Sequence, residues 1–209
     1  DWVGGYEIDG DWRFVEARLE QRGGDLLAGL VFRFDSGRVI FADEVVANED
    51  GQIRVALDHD GSRQVFDGQL NGERISGTIS GADGSGDFSF ARVHDLDRAA
   101  YEPIIGNYQL GDNVILLYSV QDFDWFYYLD TTAQRDVRLY PLSEHSFFSE
   151  LGEIIEVVYQ DDNGAPSLIW RSRDGTDMTA SRANPYIEEE VRYPFGDITL
   201  TGTLLLPDT

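Results

Sequence analysis

The sequence predicts an all-β protein that contains two tandem small antiparallel β-barrels followed by one β-hairpin. Short segments of alternating or clustered apolar residues recur along the chain, and most are bounded by Gly, Asp or Asn. The 22 Gly and 6 Pro residues among 209 suit short strands joined by tight turns better than long helices. Strands that follow one another at a spacing of roughly ten residues form a meander, and about eight of them close into a small barrel.

The first series of strands covers residues 1–94 and predicts the first barrel. Trp12 to Leu19 is rich in β-forming residues and has the period of two that is typical of a strand. Asn71-Gly72 supplies the positive φ angles that a tight hairpin turn needs. After an opening segment that begins at Gly4, the strands are predicted at 12–19, 26–34, 38–46, 53–57, 64–70, 74–79 and 87–93.

Residues 95–103 interrupt the strand rhythm, and residues 104–182 predict the second barrel. The interrupting stretch is polar at its start and ends at Pro103, so we expect a linker with one helical turn. The strands of the second barrel are predicted at 104–110, 114–120, 125–129, 137–140, 147–148, 154–159, 167–171 and 178–181.

The two predicted barrels begin and end with similar residues. Gly4-Gly5-Tyr6 at the start of the first resembles Gly106-Asn107-Tyr108 at the start of the second, and the last strands run into Arg92 and Arg182. A duplicated fold would give this similarity. Two unrelated small barrels that share the residue preferences of a strand start would give it as well.

Residues 183–209 predict a break followed by one hairpin. The stretch from Ile198 to Leu204 alternates apolar residues or glycine with threonine, and Phe195-Gly196-Asp197 is the predicted turn. A lone hairpin is at best marginally stable in water. We therefore expect this hairpin to join a larger sheet.

The charge of the chain excludes several classes of partner. The formal net charge is −23, from 39 acidic and 16 basic residues, and every basic residue is arginine. A field of this sign repels nucleic acid phosphates and anionic lipid headgroups. No apolar run approaches the ~18 residues of a membrane span, so membrane insertion is not expected. Adaptation to high salt or a GC-rich genome would each give this acidic composition without lysine.

The sequence predicts no catalytic, cofactor-binding or metal-binding residues. It contains no cysteine and no Gly-x-Ser-x-Gly motif. His59, His94 and His145 lie in an Asp-flanked turn, in the linker and in the approach to a strand, where a solvated histidine is expected. The acidic turns at residues 9–11 and 58–61 resemble the start of a calcium loop but lack its final ligating glutamate.

One aromatic segment predicts a surface that another group covers. Alternation in the predicted strand at 125–129 places Trp125, Tyr127 and Leu129 on one face and Phe126 and Tyr128 on the other. One set would fill the core, and a neighbouring domain or a ligand would cover the other. Trp125, Tyr127 and Tyr128 are thus candidate interface or ligand-facing residues. A thickly packed core with tyrosines at its rim is the alternative.

Three segments carry resemblances to known families. The stretch Glu189 to Pro207, with its charged lead-in, Gly-Asp turn and Leu-Thr-Gly-Thr-Leu run, resembles the first two strands of the α/β-hydrolase domain in bacterial esterases and prolyl-oligopeptidase-like enzymes. The motif Gly106-x-Tyr108-x-Leu110, the Tyr-Pro-Leu-Ser-Glu run from Tyr140 and the Phe-Phe pair that follows it resemble a small β module that accompanies β-lactamase-like serine hydrolases. The first barrel is similar to lipocalin-like barrels in strand rhythm and in its Gly-x-Tyr opening.

The resemblances imply a non-catalytic N-terminal accessory region of an exported serine hydrolase. Its partner would be an α/β-hydrolase catalytic domain of the same protein, continuous with this chain or in a separate fragment, that acts on ester or amide bonds. The chain starts at Asp1 without methionine, which suits a processed product such as one that has lost a signal peptide, or a trimmed chain.

Two alternatives stay open. In one, the first barrel is a self-sufficient binding protein that holds a small apolar ligand in a cavity lined by Trp12, Phe14, Phe32 or Phe41. In the other, the chain is an interaction or surface-layer protein of a salt-loving organism.

Overall fold

The computed structural model describes residues 1–32, 38–59, 61–120, 125–159, 166–183, 186–195 and 198–207. Within these ranges nearly every element is a β-strand, which confirms the predicted all-β class. The described residues include no helix that is long and apolar enough to cross a membrane. Residues 35–37 and 161–164, which separate predicted strands, and residues 196–197 of the predicted hairpin turn lie outside the described residues.

The first nine strands form one antiparallel sheet. Its order is β4-β3-β2-β1-β9-β8-β7-β6-β5, so the first strand pairs with both the second and the ninth. The strands are β1 Trp2–Ile8, β2 Asp11–Arg22, β3 Asp25–Phe32, β4 Val39–Phe41, β5 Glu44–Ala47, β6 Gln52–His59, β7 Ser62–Asn71, β8 Arg74–Gly81 and β9 Gly84–Arg92.

This sheet is curled, and the predicted first closed barrel is not confirmed. The segment predicted as one strand at 38–46 is two strands, and the break falls at Ala42 and Asp43. The backbone N–H of Ala42 donates to Ala28 O and that of Asp43 to Ala56 O, each at 2.9 Å. The chain therefore bridges the two sheet edges at this point, whereas β4 and β5 themselves lie at opposite ends of the strand order.

The inner face of the curled sheet is packed with aromatic and aliphatic side chains. Tyr6 lies at its centre, and its ring meets the Phe66 ring edge-on at 5.9 Å between centroids. Phe66 in turn meets Phe88 edge-on at 5.3 Å. Edge-to-face contacts of this kind add to the stabilisation from burial alone.

The region of the predicted linker holds two short 3₁₀ helices, Arg98–Ala100 and Glu102–Ile104, where one helical turn was predicted. The Asp97 carboxylate accepts a hydrogen bond from Ala99 N at 3.0 Å and caps the first of them. Tyr101 and Ile104 are buried in the core of the second module, so the linker covers one end of that module.

The second module is a closed antiparallel barrel of eight strands, as predicted. Its first strand pairs with both the second and the last. Tyr128 and Trp170 meet edge-on in its interior at 4.7 Å between centroids. The strands are β10 Gly106–Leu110, β11 Asn113–Val120, β12 Trp125–Asp130, β13 Arg135–Ser143, β14 Ser146–Ser149, β15 Ile154–Val158, β16 Ser167–Arg171 and β17 Asp177–Arg182.

The last two strands form a separate hairpin, β18 Tyr186–Phe195 and β19 Ile198–Pro207, which pair in register over ten residues. Among the described residues these two strands pair only with each other. The predicted hairpin is therefore present, and its place at the start of a hydrolase sheet stays a prediction.

Candidate functional site

The curled sheet and the barrel pack against each other through a mixed aromatic and aliphatic cluster. Val3 and Phe14 point outward from β1 and β2 and meet Tyr140 and Phe148 of the barrel. The Phe14 ring lies 5.4 Å from the Tyr140 ring and 6.4 Å from the Phe148 ring, measured between centroids, and Phe14 is only 1% exposed. The outer face of one module is thus part of a second core between the two.

Polar contacts surround this cluster. The Tyr140 hydroxyl donates to Glu16 Oε1 at 2.5 Å, and Arg138 Nη1 lies 3.8 Å from the same carboxylate oxygen. Arg173 Nε lies 3.6 Å from Glu7 Oε2 and forms a second ion pair between the modules. In both pairs the barrel supplies the arginine and the curled sheet supplies the glutamate.

A groove of about 540 Å³, which we call the junction groove, opens beside this interface. The outer face of β2, β3 and β4 forms its floor, and barrel side chains form one wall. Its main lining residues are Glu16, Arg18, Glu20, Leu27, Gly29, Val31, Val39, Phe41, Val93, Arg138 and Tyr140.

Strand register arranges the floor of the junction groove in polar and apolar halves. Beyond Phe14, three outward residues of β2 are charged, and each faces an apolar residue or glycine across the β2–β3 pair: Glu16 faces Val31, Arg18 faces Gly29 and Glu20 faces Leu27. The β3–β4 pair continues two of these rows with Val39 and Phe41. The result is a charged strip along β2 beside an apolar strip along β3 and β4.

Glycine at position 29 lets the Val39 and Phe41 side chains lie close to the sheet. A Cβ atom there would lie 3.2 Å from Val39 Cγ1 and 3.7 Å from Phe41 Cδ1, so these two side chains lie over the glycine backbone. Phe41 is 74% exposed, an unusual state for a phenylalanine. Exposed apolar side chains clustered in a concave site are typical of binding surfaces.

Arg138 connects the groove to the aromatic residues predicted from the sequence. Its guanidinium carbon lies 4.5 Å from the centroid of the Trp125 ring and 4.7 Å from that of Tyr140. A smaller depression of about 160 Å³ shares Arg138, Tyr140 and Val93 with the groove and is also lined by Trp125. Trp125 therefore lies at the margin of the groove.

The three predicted aromatic residues take different positions. Trp125 and Tyr127 lie on the outer face of β12, where Tyr127 stacks on Tyr118 at 5.6 Å between centroids. Tyr128 points into the barrel and donates to Glu153 Oε2 at 2.7 Å. Burial and the Glu153 charge raise the pKa of Tyr128. The alternation predicted for this strand is confirmed, while covering of its outer face by a domain or a ligand stays a prediction.

The four aromatics predicted to line a cavity in the first module lie in different places. Phe32 is in the interior, Phe14 and Trp12 are at the module interface, and Phe41 is on the outer face. The interior cavity of the curled sheet has a volume of only about 20 Å³. Such a space holds about one water molecule.

The histidines occupy separate sites. His59 stacks on Phe32 at 4.3 Å between centroids, His94 lies 3.5 Å from a Glu73 carboxylate oxygen, and His145 meets Tyr159 edge-on. Within the described residues, no three His, Asp or Glu side chains are grouped so that they could hold a metal ion. Asp60 of the acidic turn at 58–61 lies outside the described residues.

Comparison with protein-family models finds no model that matches this chain, and comparison with curated proteins finds no match either.

Sequence reasoning missed the junction groove because its two walls come from different modules. The sequence carries a partial signal, since Val39 and Phe41 alternate with Ile40, so that apolar residues lie on both faces of this strand. An apolar residue on both faces of a short edge strand indicates a covered or binding surface.

Proposed function

We propose that this chain is a non-catalytic accessory region of an exported serine hydrolase and that it positions substrate for an α/β-hydrolase catalytic domain. The main support for this proposal is the hairpin β18–β19. Its sequence resembles the first strands of such a domain, and among the described residues its outer edges have no partner strand.

One face of the hairpin carries a pair of exposed apolar side chains. Tyr193 and Leu200 are paired across the strands, and each is 58% exposed. On the other side, Arg192 Nη2 lies 2.6 Å from Glu190 Oε1. Two-stranded hairpins are marginally stable alone, and unpaired edges readily accept further strands. A mixed sheet supplied by a catalytic domain would satisfy both needs.

The packed curled sheet and barrel support a positioning role. Their shared apolar cluster and the two arginine–glutamate pairs fix one module on the other. A fixed pair of modules can hold the junction groove at a constant place relative to a domain attached through the hairpin. The groove would then serve as one wall of the route by which substrate reaches the catalytic residues of the partner domain.

Amide hydrogen exchange tests this proposal. Outer-edge amides of β18 and β19 should exchange quickly in the 209-residue chain alone and should become protected in the complete gene product, because a catalytic sheet would pair with them. Barrel strand β11, which pairs on both sides within the chain, is the internal control and should be protected in both samples. Equal exchange of the hairpin amides in both samples would contradict the proposal.

A further inference from the structure

We propose that the junction groove binds a medium-chain fatty carboxylate, with the alkyl chain on the apolar strip and the carboxylate at Arg138 and Arg18. Binding to the groove needs only this chain, so the inference goes beyond the proposed function. That the carboxylate is a product of the partner hydrolase rests on the proposed function.

The apolar strip suits an extended alkyl chain. Leu27, Val39 and Phe41 are exposed along one direction of the sheet face, and the last two lie over the backbone of Gly29. The groove volume of about 540 Å³ lies within the range of small-molecule sites. Such sites are frequent where two domains meet, and the groove is continuous with the buried cluster around Phe14.

The end of the groove at the barrel suits an anionic head group. The Arg138 guanidinium lies 3.8 Å from the Glu16 carboxylate and over two aromatic rings. In these contacts, within the described part of the chain, the guanidinium N–H groups donate no hydrogen bond. Arg18 contacts Asp1 in the same way at 3.8 Å. Guanidinium N–H donors that lack hydrogen-bonded partners match the paired oxygens of a carboxylate.

Local charge in the groove is balanced, although the chain as a whole is strongly acidic. The groove is lined by three of the 16 arginines, Arg18, Arg22 and Arg138, against Asp1, Glu16 and Glu20. The net charge of −23 would otherwise favour a cationic amphiphile on any apolar surface of this protein. A preference for the anion would therefore be specific to the arginines of this groove.

Titration calorimetry with two amphiphiles of equal chain length tests the inference. Decanoate and decyltrimethylammonium are titrated below their micelle concentrations into the 209-residue chain. We expect decanoate to bind at least about tenfold more tightly than the cation. Equal affinity, tighter binding of the cation, or no binding of decanoate would overturn the inference.

Variants locate the site. Gly29→Val should abolish decanoate binding, because the added side chain would displace Val39 and Phe41, which form the apolar strip. Arg18→Gln, at a side chain that is 74% exposed, should weaken decanoate at least about threefold and leave the cation unchanged. Leu70→Ser, a partly exposed leucine outside the groove, is the control and should bind as the parent chain does.

The remaining outcomes are also decisive. If Gly29→Val fails to fold, Phe41→Ser at the exposed position replaces it, and retained affinity in that variant would overturn the inference. If Leu70→Ser weakens decanoate binding as much as Phe41→Ser does, the binding is non-specific adsorption. That result would overturn the inference too. Specific binding without any hydrolase domain in the gene product would support the inference while removing the proposed function.

Discussion

Tyr140 of the barrel donates a hydrogen bond to Glu16 of the curled sheet, with 2.5 Å between the two oxygens. The two residues are 124 positions apart in the chain. The same carboxylate lies 3.8 Å from Arg138, so one glutamate holds two barrel side chains. This contact links the stability of the two modules to the shape of the groove beside them.

Tyr140→Phe should lower the free energy of unfolding by about 1–2 kcal/mol. A hydrogen bond to a charged acceptor contributes about 1.5–3 kcal/mol, and partial solvent exposure of Glu16 reduces the loss. Urea denaturation measures the change. Tyr118→Phe is the control, because Tyr118 donates to Asp136 within the barrel at a partly exposed site. If the two variants lose equal free energy of unfolding, the hydrogen bond between the modules stabilises the protein no more than one within the barrel.

Phe14→Ala should destabilise the protein by about 3–5 kcal/mol and separate its unfolding into two transitions. Truncation of a buried phenylalanine leaves a cavity, and here the cavity lies between Tyr140 and Phe148 at the module interface. Calorimetric unfolding shows both effects. Phe41→Ala changes the same residue type on the same sheet at an exposed position and should cost less than about 1 kcal/mol. A single unchanged transition in Phe14→Ala would contradict coupling through this cluster.

Stability should fall as the pH rises above about 10. Burial and Glu153 raise the pKa of Tyr128, and burial with the hydrogen bond to Asp136 raises the pKa of Tyr118 to about 12. The folded state therefore keeps phenolic protons that the unfolded chain loses near its ordinary pKa of about 10, and each added pH unit then favours unfolding. Urea denaturation between about pH 8 and pH 12 measures the slope. Tyr128→Phe should reduce it, and an unchanged slope in that variant would contradict the assignment.

Sodium chloride should raise the melting temperature. The net charge of −23 gives strong self-repulsion at low ionic strength, and salt screens it. Chloride is used because sulfate stabilises proteins by exclusion from their surface. A melting temperature that stays flat or falls between low salt and molar sodium chloride would remove salt adaptation as an explanation of the composition.

Local pattern predicts the strands of this protein well because turn residues and alternation act over a few positions. The strand predicted at 64–70 is Ser62–Asn71, and the one predicted at 167–171 has those same bounds. The prediction of a single strand at 38–46 was wrong. Its break at Ala42 and Asp43 is set by hydrogen bonds to Ala28 and Ala56, which belong to different strands.

The candidate site was less predictable than the fold. Alternation identified Trp125 as an outward residue, and this position lies at the margin of the groove. The groove itself depends on how the barrel sits on the curled sheet, which brings Arg138 to Glu16. No spacing within either module encodes that contact, so only the packed structure shows it.

The gene sequence that follows the Thr209 codon tests the proposed function most directly. We predict an open reading frame that encodes a His-Gly-rich oxyanion loop and, further along, a Gly-x-Ser-x-Gly nucleophile elbow. A stop codon at that point, or a reading frame that encodes neither motif, would contradict an accessory role in a serine hydrolase.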